Sequence, residues 1–524
     1  MITKMKYLLL LAVVGLLSGC TKNFEEINTN PNALIASKVD VSLLGQGFAK
    51  AQYNTVNGLH WRFQISENLF SDLYCQYFAT TAANFDSDRY VEVGRWIDLA
   101  WGSFYGQAAP AIKFVEDFAN ENKLAEEEAV AKIWKVYGYH RITDYWGPVI
   151  YSEFGNGQTS VKYDSQEEIY RSFFPTLDAA ISTLKSSSKT NVLGSNDQIF
   201  SGDIKRWIKF ANSLRLRLAI RIRFVDPALA KAEAEKAVAG GLMDSNADNA
   251  YLITTLNSMN PFTTITNWGE FRMSALMESI LVGYKDPRAG FYFSPAANGD
   301  TDGDGSPYEG LRNGQEKVNK TSAINNDNSD VGQIWLPPAK GGTNPPILIM
   351  TAAESFFLRA EGALEGWNMG GTAKDLYETG IKMSMKDRLN APDATIDAYI
   401  ASVATPKAAN ANSPATTDIP VAFDVNGSKE RQLEQIITQK WIALYPDGWE
   451  AFAEVRRTGY PKLYPLVASE NPDVPANAIF RRMTFVTSEL SNNKAAVEVA
   501  KQLPELTSRG GNKNSTKVWW DAKK

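Results

Sequence analysis

Histidine and cysteine are nearly missing from this sequence, with two of each in 524 residues. Imidazole catalysis and His- or Cys-based metal centres need such side chains in company at a set spacing, and His60 and His140 have no such partners. HExxH, a Cys/His cluster, a GxSxG elbow and a P-loop are all lacking, so no enzyme class built on them fits. Once Cys20 is engaged elsewhere, Cys75 has no partner for an internal disulfide, and stability must come from packing. Beyond the first twenty residues no apolar run approaches the roughly 18 residues of a membrane-spanning helix. An excess of positive charge is lacking too. Lys and Arg number 54 against 59 Asp and Glu, a net charge of −5 that leaves no basic footprint for nucleic acid.

What is present begins with a leader. Lys4 and Lys6 precede an apolar stretch over 7–17, too short to cross a bilayer, and Leu17-Ser18-Gly19-Cys20 closes it with a cysteine that can take lipid. The expectation is a signal peptide over 1–19, removed so that Cys20 leads the mature chain with acyl chains such as palmitate. Two or more chains anchor a protein durably, because each buried methylene contributes about 0.8 kcal/mol. Contact with the membrane is then through the N-terminal lipid alone. Residues 20–38, with the turn formers Asn28-Thr29-Asn30-Pro31-Asn32, read as a tether, and 39–524 as a single domain.

Helical periodicity dominates that domain. Apolar residues recur at three- and four-residue spacing over 59–80, 99–122, 125–143, 166–186, 205–224 and 228–239, and again over 351–367, 373–389, 430–444 and 449–457. Ile169, Phe173, Leu177 and Ile181 line one face, and Trp207, Phe210, Leu214, Leu218 and Ile222 another. Paired segments of this length predict an all-α fold of tetratricopeptide-like helical pairs, with an irregular all-α enzyme as the alternative. Periodicity is lost over 242–347, which is dense in Gly, Asn, Asp, Pro and Thr, and 401–428 reads as a second loop-rich excursion. Long irregular stretches in a packed protein usually carry function, so this large loop-rich side is the expected ligand surface.

Several segments in order carry a family resemblance. They are Phe24-Glu25-Glu26-Ile27-Asn28-Thr29-Asn30-Pro31-Asn32 behind the lipid cysteine, Tyr145-Trp146-Gly147-Pro148, Trp207-Ile208-Lys209-Phe210-Ala211-Asn212-Ser213-Leu214-Arg215, Ala353-Glu354-Ser355-Phe356-Phe357-Leu358-Arg359-Ala360-Glu361, Gln439-Lys440-Trp441, and Arg456-Arg457-Thr458-Gly459-Tyr460-Pro461. Together they resemble the SusD/RagB-like nutrient-binding lipoproteins. The resemblance implies a lipid-anchored place on the outer membrane, facing the cell surface, beside a SusC-like TonB-dependent transporter. It implies capture and handover of a nutrient oligomer, oligosaccharide in first place and oligopeptide in second, with no catalysis. The motif residues themselves have structural readings: Trp207 and Phe210 as core, Asn212, Arg215 and Arg217 as capping or pairing groups, Asp447-Gly448 as a helix start. A surface hydrolase working with paired carboxylates and a scaffolding lipoprotein are the rival readings.

Thirteen Trp, 21 Tyr and 25 Phe exceed what a core of this kind needs, and some fall in polar, Gly-rich segments. Flat rings stack on sugars or peptide side chains while nearby Asn, Asp and Arg supply directional hydrogen bonds. Tyr90, Trp96, Trp268, Phe271, Tyr292, Tyr308 and Trp335 are the candidate ligand contacts on this ground. Asp300-Thr301-Asp302-Gly303-Asp304-Gly305 has the oxygen spacing of an EF-hand start, which makes Asp300, Asp302 and Asp304 candidate ligands for a structural calcium ion. The twelfth position is Leu311, so the bidentate Glu of that motif is missing, and Glu309 lies two residues early. No other cofactor is expected.

Overall fold

Side-chain caps mark where the helices begin in the computed structural model. After α1 (Val41–Thr55), α2 (Gly94–Ser103) and α3 (Ala109–Glu121), α4 (Ala125–Trp146) opens on Glu126, Glu127 and Glu128, whose charges suit a helix N-terminus, and stops at Gly147, with φ of 77°. A capping box between Ser165 and Glu168 starts α5 (Gln166–Ser186). Asp203 accepts from the backbone N–H of Lys205 and Arg206 at the head of α6 (Ile204–Arg221), and Asp226 with Pro227 starts α7 (Pro227–Gly240). Ser274 caps α8 (Ala275–Gly283), Thr351 caps α9 (Ala352–Leu364), Thr372 caps α10 (Ala373–Leu389), Ser428 caps α11 (Lys429–Leu444) and Asp447 caps α12 (Gly448–Thr458). The structure describes residues 41–321 and 323–524, so the expected leader, Cys20 and tether lie outside the described residues. Internal contacts divide the chain after Leu44, and everything below concerns the unit from Gly45 to Lys524.

Helices neighbouring in sequence stack on one another. α3 packs on α4, α4 on α5, α5 on α6 and α6 on α7, while α9 pairs with α10 and also meets α6 and α11, and α11 meets α12. The predicted stripes make these contacts: Ile169, Phe173 and Leu177 of α5, and Trp207, Phe210 and Leu214 of α6, are all sealed from solvent. Each such side chain contributes about 1.5–3 kcal/mol on burial. α7 presents Ala230, Ala234 and Ala237, small enough for its close approach to α6. The architecture is therefore all-α with tetratricopeptide-like pairs, as the periodicity predicts.

Charge locks the stack from inside. Arg217 of α6 holds Glu354 of α9 at 2.6 Å, Arg221 holds Glu450 and Glu454 of α12 at 2.5 and 2.7 Å, and Lys440 of α11 reaches Glu454 at 3.4 Å. Arg457 bonds both Glu361 and Glu454 at 2.5 Å, and Arg223 also pairs with Glu361. These groups are almost fully buried. Taking charges from water is costly, and only many partners in good geometry offset it, so the network fixes which helix faces meet more than it adds net stability. Glu354, Glu361, Lys440 and Arg457 of this network lie in the segments that carry the family resemblance.

Two local readings are corrected. The 59–80 stretch is not one helix: it runs as a turn His60–Phe63, a wide turn Gln64–Asn68 and a turn Ser71–Tyr74, and after Gln76, with φ of 56°, it ends in a strand. That strand is β1 (Phe78–Thr80); with β2 (Ala250–Leu252), β3 (Phe271–Met273) and β4 (Ile347–Met350) it forms two antiparallel ladders, β1 with β3 and β2 with β4. Pairing with a strand almost two hundred residues away overrides the local helical pattern. The 99–122 stretch is helical as expected, α2 running into α3 through one π-helical turn, Phe104–Ala108, with no break in helical backbone. Finally, 242–347 contains a real helix, α8, which escapes a periodicity search because Ala275 to Leu281 are buried on every side and leave no polar face.

Candidate functional site

The sequence-predicted aromatics divide on burial. Tyr90, Trp96, Phe271, Tyr292 and Trp335 lie in the packed interior, at 7% exposure or less. Tyr90 donates to the Ala478 carbonyl and Tyr292 to that of Ile442; Trp335 packs edge-on against Phe262 at 5.6 Å. Polar, Gly-rich flanks marked these rings as exposed, but Tyr90 packs on Tyr74 and Phe480, Trp96 on Phe70 and Phe85, and Phe271, Tyr292 and Trp335 are buried in an inner aromatic cluster. Phe78, Phe262, Phe271, Phe293 and Tyr445 belong to that cluster. Tyr308 is partly exposed, above the turn Ala289–Tyr292, where its hydroxyl lies beside Gly290. Trp268 is open to solvent, at 40%.

A second exposed indole, Trp61, absent from the sequence-predicted set, follows His60, whose ring touches Trp268. The turn His60–Phe63 packs on the turn Pro261–Thr266 that leads into Trp268, and Phe63 buries its ring against Phe262 at 6.2 Å. Trp61 therefore points away from the core and is 37% exposed. His60 meets the Trp268 ring edge-on at 5.5 Å and 88°, and the Arg62 guanidinium lies 5.2 Å from the centre of the Trp61 ring. Leu59 and Phe63 flank Trp61 two positions to either side. A helical reading that placed those two in the core would have put Trp61 on the water face, and that is the signal the sequence offered.

Polar groups frame these rings. Asn267 is exposed beside Trp268; the Gln64 amide donates to Glu270 at 2.7 Å, and Asn325 donates to the Gly269 carbonyl at 3.0 Å, holding the turn at φ of 67°. Burial raises the Glu270 carboxyl, and the Gln64 amide only partly offsets it. The result is two exposed rings, Trp61 with a guanidinium over one face, in segments that also carry amides and a carboxylate. Deeper space is unsuited to a ligand: the cavity lined by Glu67, Arg141, Trp335 and Asp447 measures about 30 Å³, room for a water or two. The open groove lined by Asp178, Lys185, Arg215 and Lys236 has no ring on which a sugar could stack.

The acidic loop folds on itself. Asp300 accepts from the N–H of Gly303 and Gly305 at 2.7 and 2.9 Å, Asp302 from that of Asp304 at 3.1 Å, and Asp304 from that of Ser306 at 2.7 Å. Glu309 takes the Thr301 N–H at 3.0 Å. Glu278 of α8 approaches from below; burial above all, with Glu309, Asp302 and Asp304 adding to it, pushes its carboxyl up to about 9 against the N–H of Gly310.

Fold and surface together define a helical scaffold whose irregular segments carry exposed rings beside polar groups. The chain belongs to the SusD-like family: residues 26–521 match the family described as Susd and RagB outer membrane lipoprotein. Among solved structures it is similar to a chitin-binding SusD homolog from Flavobacterium johnsoniae, at 36% identity and a TM-score of 0.82 over 92% of this chain and 99% of that one. It is also similar to a SusD homolog from Bacteroides ovatus, at 31% identity and a TM-score of 0.83 over 93% of this chain and 100% of the other. A chitin-binding protein matches at 29% identity and a TM-score of 0.75, over 92% of this chain and 100% of that one. No curated protein matches.

Proposed function

We propose that this lipoprotein, anchored through acylated Cys20 on the cell surface, captures a chitin-type oligosaccharide and hands it to a SusC-like TonB-dependent transporter without covalent chemistry. The observation that carries the reading is the pair of half-exposed indoles, Trp61 and Trp268, framed by Arg62, Gln64, Asn267 and Glu270. Pyranose rings present C–H faces that stack on the open indole faces, while acetamido and hydroxyl groups bond to amide, carboxylate and guanidinium groups of the same segments. The likeness to two chitin-binding proteins supports the N-acetylated sugar over other oligomers. Stacking of this kind gives modest, reversible affinity, which suits handover.

Titration calorimetry of the full-length protein in detergent tests the reading. Chitin oligosaccharides of several units should bind more tightly than N-acetylglucosamine, because several contacts act together, and no shorter products should accumulate over hours. Preference for an oligopeptide, or saturable cleavage of the sugar, would overturn it.

A further inference from the structure

We propose that Glu278, Asp302 and Asp304 hold one calcium ion, with Asp300 and Glu309 as neighbouring carboxylates that add negative charge beside it. The side chain that points to a ligand is Glu278. It is 1% exposed, its Oε2 accepts from the Gly310 N–H at 2.5 Å, and its Oε1 is sealed from water with no hydrogen-bond partner among the described residues. A buried carboxylate oxygen without a donor is costly. That group faces the acidic loop: one oxygen each from Glu278, Asp302 and Asp304 lie within 4.8 Å of one another, and so do one each from Asp300, Asp302 and Glu309. Calcium binds oxygen at 2.3–2.6 Å, so two of its ligands stand no more than about 5 Å apart. Both triads meet that limit.

The chain topology explains why a local motif search finds the site incomplete. Leu311 stands where the linear motif needs its bidentate Glu, but the backbone of Leu311 bonds to Met273 and Ala275 at 2.8 and 2.9 Å, which lays the end of the loop across the start of α8. Glu278, one turn along that helix, then supplies from below the carboxylate that the loop lacks. Lys407 brings one ammonium to Asp304 at 2.5 Å, which leaves most of the charge of five carboxyls unmatched. A set of oxygens alone, with no imidazole or thiolate, suits a hard cation; the flexible shell of calcium tolerates such a loop better than the strict octahedron of magnesium.

The alternative occupant of the gap is a proton on Glu278, and the test separates the two. Full-length protein is stripped with chelator, then titrated with calcium chloride by calorimetry and melted with and without millimolar calcium. The expected result is one ion per chain and a melting temperature raised by about 2 °C or more. Both should be lost in Asp302→Asn, an exposed position with no packing role, and in Glu278→Gln, which keeps the shape and the Gly310 bond. Equal melting with calcium and with chelator, or Glu278→Gln binding calcium as the parent does, would overturn the proposal. So would an equal response to magnesium. None of these outcomes bears on sugar binding at Trp61 and Trp268.

Discussion

Glu361 of α9 and Arg457 of α12 are joined by two parallel hydrogen bonds, of 2.5 and 2.7 Å, with neither side chain in reach of water. Such forked pairing fixes the rotation of one helix against the other as well as their distance. Glu361→Gln would leave Arg457 and Arg223 short of counter-charge inside the protein. The expected cost is about 3–5 kcal/mol, read as a lowered urea midpoint; a loss under about 1 kcal/mol would show that the network contributes no more than a surface pair.

The same network sets an acid limit. Burial acts to raise Glu361, Glu450 and Glu454, but the guanidiniums of Arg457, Arg223, Arg221 and Arg217 and the ammonium of Lys440 outweigh it and hold all three below the ordinary carboxylate range. Groups depressed in the folded state stabilise it fully above their unfolded value, near 4.5, and lose that contribution as pH falls through the folded value. Glu505 works the other way: burial raises it to about 7, so its contribution is full below 4.5 and is lost as pH rises through 7. Denaturant midpoints should therefore fall below pH 4.5, and Glu505→Gln should flatten the change between pH 5 and 8. A midpoint that keeps rising on acidification below pH 4.5 would contradict the assignment of the three depressed carboxylates, and a Glu505→Gln profile identical to the parent between pH 5 and 8 would contradict that of Glu505.

Trp268→Ala and Trp61→Ala should each weaken oligosaccharide binding by about 1–3 kcal/mol with little change in melting temperature, since both rings already face water. Trp335→Ala should behave in the opposite way. Its ring fills the interior against Phe262 and Phe291, so removal is expected to cost about 3–5 kcal/mol of stability. Parallel calorimetry and thermal melting on the three variants distinguishes ligand contact from packing at each ring.

Cys20→Ala should abolish acylation and move the protein from the membrane fraction to the soluble one, with an unchanged melting curve. Fractionation and labelling with a fatty-acid analogue read both effects. Lipid on the substituted protein would place the anchor elsewhere.

The helical pairs were legible because their stripes and caps are local: Ser165 with Glu168, Asp203 before Trp207, and Thr372 before Leu376 announce themselves within one turn. The binding surface was legible only in kind. Trp268 stands out by its polar neighbours, but Trp335 has similar neighbours and is buried, because exposure depends on how 261–347 folds over the inner rings and no local pattern encodes that. Trp61 was hidden by a run that looks helical, and Glu278 by a sequence separation from the acidic loop that only the bond pattern of Leu311 closes.

The ion network and the aromatic surface share no residue. The first resides on α6, α9, α11 and α12; the second on two short turns, around 60–64 and 267–270. Inheritance can therefore act on them separately. Exchange of the rings or amides of those turns leaves the frame intact, whereas a change at Arg217, Glu361 or Arg457 strands a buried charge. Diversification of ligand within such a scaffold should then be recorded in its turns, and common ancestry in its buried charges.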